Sequence, residues 1–105
     1  MAEHEFLLTK KKFIADFGKK VFELFYEDLE TLILTELKGP TPGRKQILKV
    51  QVVELRPRLF MVNWQESNKL TATDIEDYEK GVVYANLTTP SLSFQHLKGT
   101  LSLPR

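Results

Sequence analysis

The sequence predicts an all-β protein: an antiparallel up-and-down β-barrel of about eight strands, formed by a single domain over residues 1–105. Three observations carry this expectation. The second half of the chain divides into short runs rich in β-branched and aromatic residues, separated by turn residues at the spacing of a meander. The first half holds further β-favouring segments, Val-Phe-Glu-Leu-Phe-Tyr and Thr-Leu-Ile-Leu-Thr. The length and the 42% apolar composition suit one core and little else. Eight antiparallel strands close an up-and-down barrel, cover its edges and still hold one small ligand.

Residues 12–37 fit two periods. Phe13, Ile14, Phe17, Val21, Leu24 and Phe25 form a helical stripe, while Phe22, Leu24 and Tyr26 alternate as a strand would. Propensity arbitrates for strands, because Gly18 in mid-helix would cost about 1 kcal/mol and the flanking residues are aromatic and β-branched. Three strands joined at Asp16-Phe17-Gly18-Lys19 and at Glu27-Asp28 are therefore expected. Lys38-Gly39-Pro40-Thr41-Pro42-Gly43 reads as a turn rather than a linker. Five strands follow: Ile47 to Leu55, Leu59 to Glu66, Leu70 to Tyr78, Val82 to Thr88 and Ser93 to Leu101. Five lysines and one aspartate between residues 9 and 20 precede Glu23, Glu27, Asp28, Glu30 and Glu36, charge blocks suited to pairing across neighbouring strands.

Composition excludes several functions. Fifteen basic against fourteen acidic residues argue against broad binding of a phosphate backbone. Without cysteine there is no disulfide framework, thiolate site or cysteine nucleophile. His4 and His96 are the only imidazoles, too few for a zinc site, so neither a metal nor a cofactor is expected. The run Asp74-Ile75-Glu76-Asp77-Tyr78-Glu79 lacks the spacing and turn glycine of a calcium loop. Gly-x-Ser-x-Gly, phosphate-loop and dinucleotide fingerprints are missing. An acidic amino terminus and no apolar run of about 18 residues predict a cytoplasmic protein with no membrane role, in which the acceptor pattern Asn86-Leu87-Thr88 stays unglycosylated.

Glu54-Leu55-Arg56-Pro57, Val62-Asn63-Trp64-Gln65-Glu66, Ile75-Glu76-Asp77-Tyr78-Glu79-Lys80-Gly81, Asn86-Leu87-Thr88-Thr89-Pro90 and Leu97-Lys98-Gly99-Thr100-Leu101 stand in an order that resembles the MoaF-like family, small proteins similar to molybdenum cofactor biosynthesis protein F. Phe13-Ile14-Ala15-Asp16-Phe17-Gly18 is similar to that family's start, so the resemblance covers nearly the whole chain. It implies a lipocalin-like (calycin) barrel and a link to cofactor biosynthesis. Two departures stand out: Asp74 where the resemblance leads one to expect a histidine, and the loss of turn glycines near Asn68-Lys69 and Ser91-Leu92.

Three-residue connections at Ser67 to Lys69, Glu79 to Gly81 and Pro90 to Leu92 would set Glu66 opposite Leu70, Tyr78 opposite Val82 and Thr89 opposite Ser93. One face then collects Trp64, Glu66, Asp74, Glu76, Tyr84, Asn86, His96 and Lys98 with Phe60, Val62, Tyr78 and Phe94. The other collects Leu59, Met61, Ile75, Val83, Ala85, Leu87, Leu97 and Leu101. A mixed aromatic and polar face is what a ligand pocket offers, and equally what a solvated face offers; the family resemblance favours the pocket. Taken singly, Trp64 suits packing, Glu66 exposure at a strand end, and His96 a structural hydrogen bond.

The functional expectation is a small-molecule binding protein. An amphipathic ligand would sit in the barrel, against Trp64, Tyr84 and Phe94, and be oriented by Glu66, Asp74, Glu76, Asn86 and His96. Two alternatives are an acid–base enzyme using Asp74 and Glu76 with Tyr84 or His96, and a small barrel binding single-stranded nucleic acid through its basic turns. With the mixed face inward, Met61, Ile75, Val83, Leu87 and Leu97 would form an outer apolar surface that a homodimer would cover.

Overall fold

The structure, a computed structural model, describes residues 8–104; His4 and the acidic amino-terminal run lie outside the described residues. Nine strands follow in order: β1 (Lys12–Asp16), β2 (Val21–Asp28), β3 (Thr31–Lys38), β4 (Lys45–Lys49), β5 (Gln51–Arg56), β6 (Leu59–Gln65), β7 (Thr71–Asp77), β8 (Val82–Thr88) and β9 (Phe94–Ser102). They form one antiparallel sheet in the order β4-β3-β2-β1-β9-β8-β7-β6-β5. Among the described residues no helix is long and apolar enough to cross a membrane.

Strands win over the helical stripe in the first half because short turns interrupt it. The Asp16 carboxylate accepts the Gly18 N–H at 2.8 Å, and Asp28 accepts the Glu30 N–H at 2.8 Å. The alternation therefore decides which side chains turn inward: Phe13 and Ala15 from β1, Leu24 and Tyr26 from β2, Leu32 and Leu34 from β3 are all buried. Across β1 and β2 the charge blocks meet at Lys12 and Glu23, 4.0 Å apart.

The count of nine corrects the expected eight. Ile47 to Leu55 is not one strand, because the chain turns a corner at the buried Val50, whose N–H bonds to the Glu30 carbonyl at 2.9 Å. Before the corner the chain pairs with β3; after it, with β6. The two edge strands are thus consecutive in sequence, and the hydrogen-bonded ladder does not close into a barrel. A side-chain bond crosses the opening, from Gln46 Nε2 on β4 to Glu66 Oε1 beyond β6, at 3.1 Å.

Register follows expectation in two hairpins and departs from it in one. Trp64 pairs with Ala72 and Val62 with Asp74, and Asn86 pairs with His96 and Tyr84 with Lys98. Between β7 and β8, however, it is Asp77 rather than Tyr78 that pairs with Val82. The connection has four residues, closed by Gly81 N–H to Asp77 C=O at 2.9 Å, while the Asp77 carboxylate accepts the N–H groups of Glu79 and Lys80. Gly81 ends it at φ 69°, a conformation in which an L side chain is strained.

One residue of slip sends alternate side chains to opposite faces. Tyr84, Asn86, His96 and Lys98 therefore share the outer face with Met61 and Ile75, while Val83, Ala85, Leu87 and Leu97 turn inward beside Trp64, Asp74 and Glu76. The five-residue outer apolar surface expected of a homodimer does not assemble, since Val83, Leu87 and Leu97 point inward. Near the centre of the sheet, Gly99 on β9 lies so close to the Asp16 carbonyl of β1 that a Cβ there would collide with the backbone.

The two three-residue hairpin loops place non-glycine residues where glycine is favoured: Lys69 has φ 79° and Leu92 φ 68°. Both side chains are exposed. Lys69→Gly and Leu92→Gly are each expected to raise stability by about 1 kcal/mol by removing left-handed strain, additively, as read by urea denaturation.

Candidate binding site

A cavity of about 170 Å³ occupies one end of the curled sheet, and every strand except β5 contributes to its wall. Its burial gradient gives it a floor and a mouth. Ala15, Leu24, Leu34, Asp74 and Ala85 are buried at the floor; Phe17, Phe22, Trp64, Leu70, Leu87 and Leu97 are half-buried around the wall; Lys20 and Arg44 are exposed at the mouth. The period-two alternation of β2, β3, β6, β7 and β8 aims these side chains inward.

Two buried carboxyls line the cavity, Glu36 and Asp74; Glu36 is taken up by its own loop through Thr41, which leaves Asp74 as the polar side chain of the floor. Two residues along the same face lies Glu76, fully buried beneath it. Glu76 accepts the Tyr26 hydroxyl at 2.9 Å and the Tyr78 hydroxyl at 2.6 Å. Tyr78 reaches inward from the β7–β8 loop, its ring packed edge-on against Phe13 at 4.7 Å and Phe60 at 5.8 Å. Asp74 completes the cluster through a hydrogen bond to Glu76.

Burial and mutual repulsion govern these groups. Desolvation, then the neighbouring Glu76 charge, hold the Asp74 carboxyl well above the usual carboxylate range. Glu76 is also raised by burial, against which the hydrogen bonds from Tyr78, Tyr26 and Asp74 work. Two buried carboxyls this close cannot both ionise, so the pair shares one proton and carries one negative charge. Burial, followed by the Glu76 charge, raises both tyrosine hydroxyls well above their ordinary values, which keeps them neutral donors.

The remaining polar groups of the wall are engaged locally. Glu66 accepts Trp64 Nε1 at 3.3 Å as well as Gln46 Nε2. Glu36 turns back over its own loop, accepting the Thr41 N–H and hydroxyl. No serine, cysteine or histidine lines the cavity, and no group of histidine, aspartate and glutamate residues able to hold a metal ion occurs among the described residues.

Of the eight residues singled out from the sequence, the structure brings together Trp64, Glu66 and Asp74 at the cavity and Glu76 beneath it. Tyr84, Asn86, Phe94 and His96 lie on the outer face, where His96 Nδ1 meets Asn86 Oδ1 at 2.7 Å, Phe94 packs edge-on against His96 at 4.6 Å, and Lys98 lies 5.7 Å from the Tyr84 ring. Pairing of Asp74 or Glu76 with Tyr84 or His96 is therefore not assembled. The register slip separates them. Sequence reading missed Tyr26 and Tyr78 as partners of Glu76. The available signal was Asp77 followed four residues later by Gly81, a loop that releases Tyr78 from the strand.

Two variants test the cluster. In the folded chain Asp74 keeps its proton above the pH at which the unfolded chain loses it, near 3.9, so its contribution to stability is greatest below that value and falls as pH rises. Asp74→Asn has no such proton to lose; its urea midpoint should rise relative to wild type as the pH is raised above about 4. Tyr26→Phe removes one of the two phenolic donors from a buried carboxylate and should cost about 1–3 kcal/mol, read by the same measurement.

The comparisons with known proteins agree on architecture. No curated protein matches the sequence. Among solved structures, a protein from Burkholderia vietnamiensis, assigned only provisionally as a β-lactamase, superposes with a TM-score of 0.86 at 23% identity, covering 91% of this chain and 94% of its own. At that identity the likeness concerns the fold. The MoaF-like family profile matches residues 9–102, nearly the whole chain, and the protein is a member of the MoaF-like family.

Proposed function

We propose that the protein binds a small amphipathic molecule, using its curled sheet as a lipocalin-like barrel with the ligand inside. The observation that carries this reading is the cavity itself: apolar and aromatic walls, one carboxyl at the floor, cations at the mouth. Such spaces, mostly apolar with a few placed polar groups, are what ligand sites share. Its volume, about 170 Å³, suits a molecule of one or two rings. The polar groups with which the ligand would be oriented are Asp74 and, nearer the mouth, Glu66. Nucleophilic acyl transfer of the β-lactamase kind finds no support, since the lining offers no serine and the chain contains no Ser-x-x-Lys sequence.

Trp64 is the sole tryptophan and stands in the wall, so its emission reports occupancy. Titration with 2-naphthol should quench it saturably. Ala85→Leu, which fills the floor, should abolish the response while unfolding remains cooperative. A linear, unsaturable response, or one that Ala85→Leu leaves intact, would sink the container reading.

A further inference from the structure

The floor of the cavity holds an acid with few donors of its own and a charge imbalance, and both point to the same chemistry. Glu76 is satisfied by two phenolic hydroxyls, whereas Asp74, only 6% exposed, has no donor among the described residues apart from the proton it shares with Glu76. Asp74 lines the cavity, and since no buried side-chain oxygen lacks a partner among the described residues, what it leaves unbonded is open to that space. The charge is also unmatched. Among the described residues the buried polar ones are Glu36, Asp74, Glu76 and Asp77, and no lysine, arginine or histidine of that set is buried with them. Among the described residues, the basic side chains that form ion pairs, Lys12 and Arg56, do so with Glu23, Asp77 and Glu79, and none of these lines the cavity.

We propose that the cavity takes an organic ammonium ion, entering amine end first, with Asp74 as the carboxylate that receives it and the Trp64 ring against its apolar body. The proposal rests on reading the cavity as a binding site and deepens that reading. As it binds, the proton the two acids share passes to Glu76, so that the pair's one negative charge rests on Asp74; the ammonium group then supplies three donors and the missing positive charge to that desolvated anion, whose attraction is strong because little water screens it. A neutral alcohol would satisfy the hydrogen bonding and leave the charge unmatched. A carboxylate would bring a like charge to the floor. Aromatic walls suit a cation further, since the faces of Trp64 and Phe22 attract one. Lys20 and Arg44 stand at the opposite, solvated end, where water and salt screen them, so they face the ligand's outer end rather than its amine.

Three probes of nearly equal size separate the possibilities: 2-phenylethylamine, 2-phenylethanol and phenylacetate, each titrated against Trp64 emission at neutral pH. The amine should bind at least tenfold more tightly than either of the others, and Asp74→Asn should erase that preference while preserving the wild-type circular dichroism. Tyr84→Phe, on the outer face, should leave the preference unchanged. Equal or tighter binding of the alcohol or the acid overturns the ammonium assignment and leaves the container intact, as does a preference for the amine that survives Asp74→Asn. Failure of all three probes, together with failure of 2-naphthol, overturns both.

Discussion

The carboxylate of Glu76 is fully buried and must be supplied with donors, and much of the molecule is arranged to supply them. Tyr26 comes from β2, on one side of the sheet, and bonds to Glu76 on β7, fifty residues away on the other. Tyr78 comes from a loop, its backbone N–H held by the Arg58 carbonyl at 2.8 Å and its ring wedged between Phe13 and Phe60. The interaction therefore joins β2, β7 and the β7–β8 turn through one side chain. It also fixes register, because sliding β7 by a single residue would replace Glu76 with Ile75, stranding both hydroxyls, or with the shorter Asp77.

Much of the strand pattern was legible in the sequence because alternation and turn chemistry are local properties. Phe22, Leu24 and Tyr26 announce a strand, and Gly18 and Asp28 mark where strands stop. The corner at Val50 was not legible: a valine between two β-rich segments gives no sign that pairing passes from β3 to β6, since the cause is the curvature of the whole sheet. The β7–β8 connection was misjudged by one residue because Tyr78 has strand propensity and yet belongs to the loop. That single count decided which half of the candidate site was found. Trp64, Glu66, Asp74 and Glu76 precede the loop and were placed together; Tyr84, Asn86, Phe94 and His96 follow it and lie on the outer face. Tyr26 could not have been assigned to Glu76 from spacing, because their meeting depends on the arrangement of strands rather than on any motif.

The polarity of the cavity follows from the same alternation. Each inward position near the mouth can carry a charge or a long polar group that reaches water or a local partner, as Glu66 and Glu36 do. Toward the floor the available side chains become alanine, leucine and one aspartate, whose partner among the described residues is another acid. A polar tip at the end of an apolar shaft orients whatever enters, since only one end of an amphipathic molecule is welcome there.

The β1–β9 seam in the middle of the sheet joins residues 14–16 to residues 100–102, so the centre of the finished structure is assembled from opposite ends of the chain. Hairpins such as β6–β7 need only a short loop to close, whereas this seam must wait for nearly the whole polypeptide to be gathered in. Folding kinetics should accordingly be governed by topology, with the hairpins on either side forming before the seam that unites them. Gly99 then acquires a role in time as well as in space. By letting β9 approach the Asp16 carbonyl without a side chain in the way, it removes a steric barrier from the contact with the largest entropic cost.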